Sequence, residues 1–274
     1  VLMKMKRTIE QIRAHYEVEK ELASKLKQAL KEERTTFYAS LYNELYERVP
    51  QHPQLTRKIN HLESNESVSA QLVLVRRFVK RNTVFAEIGP GDCALSSALT
   101  QMVSQVYAID VSTAITNNNN RWPQNFQLIL SDGKSIPLPP DSVNVVYSNQ
   151  LMEHLHPDDA FEQLINVFNV LSDGGKYICI TPNRINGPHD ISKYFDKIAT
   201  GFHLKEYTFS ELRKMFKKVG FKTISGYWGA KGVYIPIHPY FIIFFERLIH
   251  LLPRSVRKNR LTNIFLYIII VGTK

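Results

Sequence analysis

The run Val84–Ala94, VFAEIGPGDCA, sets an acid, Glu87, two residues ahead of Gly89, with a second glycine, Gly91, two residues further on. Glycines at the carboxyl end of a β-rich run let the backbone turn sharply and let a ligand approach where any Cβ would clash, and the helix after them aims free N–H groups at that ligand. About 20 residues further along, at the end of the next β-like run, Gln105–Ile109, stands Asp110. A βαβ unit uses a carboxylate at that spacing to accept hydrogen bonds from ribose hydroxyls. Together the two segments predict a nucleoside-cofactor site. A dinucleotide cradle is disfavoured, because Gly-x-Gly-x-x-Gly would need glycine where the chain has Ala94. Glu87 would also repel phosphates while accepting from an ammonium or a hydroxyl.

The pattern acid-x-Gly-x-Gly with Glu87, Gly89 and Gly91, followed by Asp110, resembles the first motif and the next acidic position of class I S-adenosylmethionine-dependent methyltransferases. The third glycine usual in that family is Cys93 here, which departs from the pattern at the loop's exit. The resemblance implies S-adenosyl-L-methionine as cofactor, an α/β fold with a Rossmann-like, doubly wound, mostly parallel seven-stranded sheet, and cofactor contacts from Glu87, Gly89, Gly91 and Asp110. It also implies that the acid after the third strand, Asp132 in Leu130–Gly133, meets the adenine amino group.

The fourth strand ends in Tyr147–Gln150 and runs into Leu151–Pro157, so that the stretch reads SNQLMEHLHP. Ligands in such sheets sit beyond the carboxyl ends of the strands, which points Asn149 at the cofactor and His154 at the cleft. This segment looks like the strand-four signature of the small-molecule branch called methyltransferase type 11. It lacks the Asn/Asp-Pro-Pro-aromatic tetrapeptide of enzymes that methylate exocyclic amines or glutamine amides. A fifth strand leaves through Ile180–Arg184 into Asn186–Asp190, a loop placed where an acceptor would enter. His154, His189 and His203 are the candidate general bases, because histidine titrates near neutral pH, with His154 and His189 preferred; His203 and Tyr207, just before a Ser/Thr-x-x-Glu helix start at Thr208, sit near the cleft mouth.

Positioning these groups requires alternating strands and helices. Strands are predicted at 84–88, 105–109, 126–130, 143–148, 175–181, 221–227 and 264–272, and a helix over Ser67–Lys80 precedes the first. Residues 1–65 form an N-terminal helical extension in which Val18, Leu22, Leu26 and Leu30, then Phe37, Leu41 and Leu45, recur every four positions. Mixed charge signs on that arm suit a solvated face with one apolar stripe packed on the catalytic domain, residues 66–274, as a lid over the cofactor. Residues 233–263 read as a helical insertion before the last strand, with a Phe/Ile-rich helix over Pro239–Leu252 trailed by Arg254, Arg257, Lys258 and Arg260. That helix suits a cap over the cleft or a homodimer contact, with Tyr240, Phe244 and Leu248 on the sheet. The competing reading is a membrane interface, giving peripheral contact through 239–260.

The chain has 274 residues, a formal net charge of +10 and two cysteines, Cys93 and Cys179. The charge favours an acidic partner without choosing one. The cysteines lack CxxC spacing and no paired histidine cluster stands out, so reduced buried thiols and no metal are expected. No run reaches the roughly 18 apolar residues of a membrane span, and no signal-peptide core precedes the first helix, so the cytoplasm is the expected compartment. The predicted function is methyl transfer from S-adenosylmethionine to a small-molecule, glycan or lipid-linked acceptor. An RNA methyltransferase would explain the charge, but no RNA-binding module or basic stripe with interleaved aromatics is present and nucleic acid is disfavoured. Ala94 and Glu87 argue against a nicotinamide-dependent dehydrogenase or epimerase. A non-catalytic cofactor-binding scaffold is the third alternative.

Overall fold

The computed structural model describes residues 7–53, 61–111, 122–230, 232–257 and 267–274. Two helices open it, α1 (Ile9–Gln28) and α2 (Lys31–Arg48), and α3 (His61–Val75) leads to the sheet. A capping box between Thr8 and Gln11 starts α1, and Leu22, Ala23 and Leu26 form its buried stripe. The stripe does not extend to Leu30, which is 67 % exposed and extended at the N-cap of α2, where the Glu33 carboxylate accepts from its N–H. The four-residue period is therefore broken at Ala29–Leu30, and the chain doubles back. Arg48 on Glu21 at 2.7 Å and Lys25 on Glu44 at 3.9 Å pair the two helices antiparallel.

The sheet follows as β1 (Val84–Ile88), α4 (Ala94–Leu99), β2 (Gln105–Asp110), β3 (Phe126–Leu130), β4 (Val143–Asn149), α5 (Pro157–Val170), β5 (Leu171–Pro182), α6 (Phe209–Val219), β6 (Thr223–Ala230), β7 (Val233–Ile237), α7 (Pro239–His250), α8 (Arg254–Arg257) and β8 (Tyr267–Thr273). The described residues contribute eight strands in the order β3-β2-β1-β4-β5-β8-β6-β7. Five neighbours, β3 to β5, run parallel, and β8, β6 and β7 each pair antiparallel with the strand before them in that order. The central strands are buried on both faces, as helix-covered parallel strands must be. The strand order reverses between β1 and β4, so a crevice opens at their carboxyl ends.

The seven-strand expectation is corrected to eight. Val233–Ile237, read as part of a helical insertion, pairs with Gly226–Ala230 because its Val, Tyr and Ile alternate and Gly232, just before it, turns the chain back. The rest of the insertion is helical in α7 and α8; its end at 258–263, with Lys258 and Arg260, lies outside the described residues, as does the 264–266 start of the expected last strand. The orientation of α7 also differs from expectation. Tyr240, Phe244 and Leu248 are exposed, and the face turned inward carries Ile242, Glu246 and Ile249. Glu246 decides this: its carboxylate accepts from the Asn183 side chain at 2.9 Å and from the Phe209 N–H at 2.7 Å. These bonds fix a polar residue inside, and the aromatics then take the outer face. Among the described residues no helix is long and apolar enough to cross a membrane.

The N-terminal helices share the main core with the sheet, since Leu22, Leu26, Tyr38, Leu41 and Leu45 cluster with Ala86, Ile88 and Val146. Their strongest polar tie is buried. The Arg34 guanidinium makes two bonds to Asp159 on α5, at 2.7 and 2.8 Å, and the Tyr38 hydroxyl donates to the same carboxylate at 2.7 Å. Removing one partner of such a pair leaves an uncompensated charge in the interior. Arg34→Ala is expected to lower unfolding free energy by about 3–5 kcal/mol, read from urea denaturation; a loss below about 1 kcal/mol would show the tie to be dispensable.

Candidate active site

Every residue of β1 after Val84 is buried, which is why the strand delivers Glu87 to the sheet's edge inside protein rather than in water. The Ser96 hydroxyl of α4 donates to the Glu87 carboxylate. Burial raises this acid to about 8, with the negative neighbours Asp92 and Asp110 adding to the rise and the Ser96 bond opposing it. The turn that follows is held open by backbone conformation: Gly89 has φ of 66° and Gly91 φ of 57°, a region that suits glycine. The Gly89 N–H donates to the Ile109 carbonyl at 2.9 Å, locking the turn to β2. A Cβ at Gly91 would meet no protein atom within 4 Å, so a ligand can lie directly on its backbone.

Cys93, at the position where the resembled family has its third glycine, is left-handed at φ 57° and wholly buried. The left-handed conformation is what glycine would have provided, and the thiol, pushed up to about 12 by burial, stays protonated. Both cysteines are free and buried, as expected.

Asp110 closes β2, its carbonyl accepting from the Ser131 N–H at 2.8 Å, so the loops after β2 and β3 are bound together. Asp132 turns its carboxylate into its own loop, accepting from the Lys134 and Ser135 N–H groups at 3.0 and 2.7 Å and from the Ser135 hydroxyl at 2.9 Å. Partial burial works to raise its pKa, but those amides win and hold it below the usual carboxylate range. Asn149 ends β4, half-buried, and Gln150 after it adopts φ 53°, a strained turn that swings the chain from the strand across the glycine loop. Leu151 lands against Gly89: its Cδ1 lies 3.1 Å from where a Cβ would stand there.

Three residues beyond Leu151 begins a network of histidines that the sequence conceals. His154 lies on a short 3₁₀ turn, Met152–His154, with Nδ1 2.9 Å from the Tyr42 hydroxyl and 3.0 Å from the Phe202 carbonyl. The carbonyl fixes the proton on Nδ1 and leaves the Nε2 lone pair free. Burial, followed by the neighbouring His203, depresses its pKa to about 3, so the ring is neutral. His189 donates from Nε2 to the Asn183 carbonyl at 2.8 Å and is also held below its ordinary pKa by burial. The two candidates are not in contact with each other; Glu206 links His189 to His203. Its Oε1 accepts from the His189 N–H at 2.6 Å and from His203 Nδ1 at 2.8 Å. Burial opposes a charge on His203, yet Glu206, Glu153 and Asp190 hold its pKa above the ordinary value. Glu153 is fully buried, accepts from Thr181 at 2.8 Å, and is pushed to about 7 by burial. Sequence reading passed over Glu153 and Glu206; the signal for the first was an acid directly before a histidine at a strand's carboxyl end.

The helical arm covers this edge. Tyr42 stacks on Phe202 at 4.9 Å besides touching His154, and Glu19 accepts from the Phe202 N–H at 3.2 Å. Tyr46 of the same arm is raised to about 12 by burial and then by Asp110.

Residues 86–179 match the type 11 methyltransferase domain family. A Mycolicibacterium smegmatis protein named "Probable S-adenosylmethionine-dependent methyltransferase" is 28 % identical over 148 residues, 53 % of this chain and 55 % of its own. A Mycobacterium tuberculosis protein of the same description is 28 % identical over 156 residues, 56 % of this chain and 54 % of its own. The chain thus spans about half the length of the curated relatives it matches. Among solved structures, a chain from the complex of the Haloferax volcanii Trm112 methyltransferase activator with a methyltransferase aligns with TM-score 0.57 at 17 % identity, covering 80 % of this chain and 95 % of that one. An S-adenosylmethionine-dependent methyltransferase from Archaeoglobus fulgidus aligns with TM-score 0.53 at 16 % identity, covering 76 % and 93 %. At such identity the structures establish the fold.

The raised pKa of Glu87 makes a signed prediction. Folded, the acid keeps its proton up to about pH 8; unfolded, it releases it near 4.5. The stability carried by the protonated acid is whole below the lower value and is lost as pH climbs through the window. Glu87→Gln, which still accepts from Ser96, is expected to stay folded and to gain stability relative to wild type as pH rises from about 5 to about 8, in paired urea titrations. A difference that stays flat with pH would show that the acid is not buried as described.

Proposed function

We propose that this chain, which carries a class I, type 11 methyltransferase domain over residues 86–179, transfers a methyl group from S-adenosylmethionine to a small, glycan or lipid-linked acceptor. One observation carries the reading: an open glycine turn with a buried acid before it and Asp110 beside it, at the point where the strand order reverses. Bound S-adenosylmethionine supplies an electrophilic methyl group on a sulfonium whose leaving group is a neutral thioether. In this reading Gly89 and Gly91 give the cofactor its backbone approach and Asp110 accepts from the ribose hydroxyls. Glu87 ionises on meeting the ammonium, and Asn149 lines the cofactor at the end of β4. Asp132 holds the loop that shapes the adenine end, because its own oxygens serve Lys134 and Ser135. The arm formed by α1 and α2 excludes water and fixes alignment, the main demands of an in-line displacement.

His154 and His189 remain the proposed bases of the acceptor side. His154 has the free lone pair, but its low pKa makes it a weak base at neutral pH, so it would act on a proton whose departure another group has already eased.

The acceptor is proposed to be met at a membrane surface. Tyr240, Phe241, Phe244, Leu248 and Leu251 of α7 and its exit, with Ile235 of β7, present an exposed apolar band, flanked by exposed Arg247 and the half-buried Arg254. An interfacial helix gains from both apolar burial and anionic lipid, and the +10 charge favours the same surface. This outward orientation departs from the expected packing of Tyr240, Phe244 and Leu248 on the sheet, while a homodimer contact would use the same outward face.

Two measurements test these statements. In calorimetry with S-adenosylhomocysteine, Asp110→Ala is expected to weaken binding at least about tenfold, the value of one charged hydrogen bond. Gly91→Ala should do the same, whereas Gly174→Ala, also left-handed at φ 73° with no protein atom within 4 Å of a Cβ, should leave affinity unchanged and so control for strain. Equal affinity in all four proteins would remove the site. Separately, wild type should sediment with phosphatidylglycerol vesicles, and Phe241→Ser with Phe244→Ser should cut that binding by about tenfold or more, given roughly 1.5–3 kcal/mol for each buried ring. No sedimentation of wild type would discard the membrane reading.

A further inference from the structure

Among the described residues, two groups of three ligand-type side chains are brought together by the fold: His15 with Glu19 and His52 in the helical arm, and Glu153 with His154 and His203 at the carboxyl edge of the sheet. In each, one potential ligand atom per residue lies within 4.8 Å of the others. Their hydrogen bonds separate them. At His15 the Arg7 guanidinium donates to Nδ1 at 2.7 Å, which puts the ring proton on Nε2, where it points to Glu19 at 2.7 Å. That ring offers no lone pair to its own cluster, and a fixed cation stands beside it.

The second group has the opposite arrangement. His154 has its Nδ1 proton held by the Phe202 carbonyl and His203 has its own held by the Glu206 carboxylate, so each leaves Nε2 to the cluster. Metal-binding histidines almost always donate their other nitrogen to a carbonyl or carboxylate in this way. Glu153 has one oxygen on Thr181, while Oε1, buried and without a hydrogen-bond partner, lies 4.0 Å from His154 Nε2. An orphaned carboxylate oxygen in the interior is costly unless something pairs it.

We propose that Glu153, His154 and His203 form a divalent-cation site beside the cofactor crevice. Two imidazoles and one carboxylate suit Mn²⁺, Fe²⁺, Co²⁺ or Zn²⁺ better than the all-oxygen ions. Bond lengths of about 2.0–2.2 Å bring tetrahedral donors to about 3.3 Å apart, so side chains whose ligand atoms lie up to 4.8 Å apart need to close by as much as about 1.5 Å. Three protein ligands leave a position for water or for an acceptor oxygen. Resting on the proposed methyl transfer, the site selects an acceptor that presents a hydroxyl, because a bound cation lowers the pKa of an oxygen that coordinates it, and His154, its Nε2 lone pair given to the cation, then acts as a ligand rather than as the base.

The test uses the full chain, stripped with chelator and dialysed against Co²⁺, with visible absorption and bound metal as readouts and no substrate present. One equivalent of bound Co²⁺ with a ligand-field band is expected. His203→Gln and His154→Ala should each weaken binding more than tenfold, and Glu206→Gln by about tenfold through the ring it orients. His52→Ala should leave binding intact. Wild type that binds no stoichiometric Co²⁺ overturns the inference, as does binding that survives both His154→Ala and His203→Gln or is lost with His52→Ala. S-adenosylhomocysteine calorimetry on the same samples separates the two claims: cofactor affinity without metal binding ends only the cation site, and metal binding without cofactor affinity ends only the transferase reading.

Discussion

The cost of holding carboxyl groups out of water at the carboxyl edge of the sheet organises this molecule. Glu87 and Glu153 are delivered there by β1 and by the turn after β4, two of the strands that flank the crevice, and burial raises both acids. Each has a single hydroxyl donor, Ser96 or Thr181, which meets only part of a carboxylate's capacity of about four lone-pair sites. A fold that wanted only stability would put apolar residues at these positions. Keeping half-answered acids at this edge suits a site whose remaining partner is a cation: under the proposed function an ammonium for Glu87 and, under the inference above, a metal ion for Glu153.

The helical arm follows from the same constraint. An edge left to solvent would hydrate these acids and return them to ordinary values, so α1 and α2 must be held down on it. Apolar contacts alone are non-directional and would let the arm slide. The Arg34–Asp159–Tyr38 knot supplies direction: Asp159 sits in the first turn of α5, directly after the segment bearing Glu153 and His154, and the Tyr38 hydroxyl also accepts from the His156 N–H at 2.9 Å. The arm is thereby registered against the very turn whose histidine Tyr42 touches, which makes it part of the site rather than an appendage.

The extent of legibility in the sequence follows from the range of the interactions involved. The strands 84–88 and 126–130 agree with their expected limits because buried parallel strands write their signal locally, as apolar runs ended by glycine or acid. The glycine turn was visible for the same reason, and Cys93 shows a backbone demand outlasting the residue that usually meets it. Leu30 misled because a four-residue period records helix propensity but not the point at which two helices fold against each other. β7 was hidden inside an aromatic run that reads equally as helix, and the outward turn of Tyr240 and Phe244 depends on Glu246 finding Asn183, 63 residues away. The Glu153–His154–His203 group was illegible for a similar reason: His203 is joined to it through a loop whose path is set by Glu206 and by the arm.

Glu246 also connects the two surfaces that the chain offers to its surroundings. Its carboxylate holds Asn183 and the first N–H groups of α6, and Asn183 in turn gives its carbonyl to His189 on the loop beyond β5. Arg254 and Arg257, which follow α7, reach back to the carbonyls of Gly187 and Ile185 on that same loop. A displacement of α7 therefore cannot leave the loop where it is: among the described residues, the bonds of Glu246 end on Asn183 and on the start of α6. Should the aromatic face of α7 seat in a lipid surface, the path of Ile185–His189 is set by that seating, and an acceptor carried in the membrane would reach the crevice through a gate that the membrane itself holds in place. The buried acid is what makes this possible, since an apolar residue at 246 would let α7 turn its aromatics inward and lose both the outer band and the link to the loop.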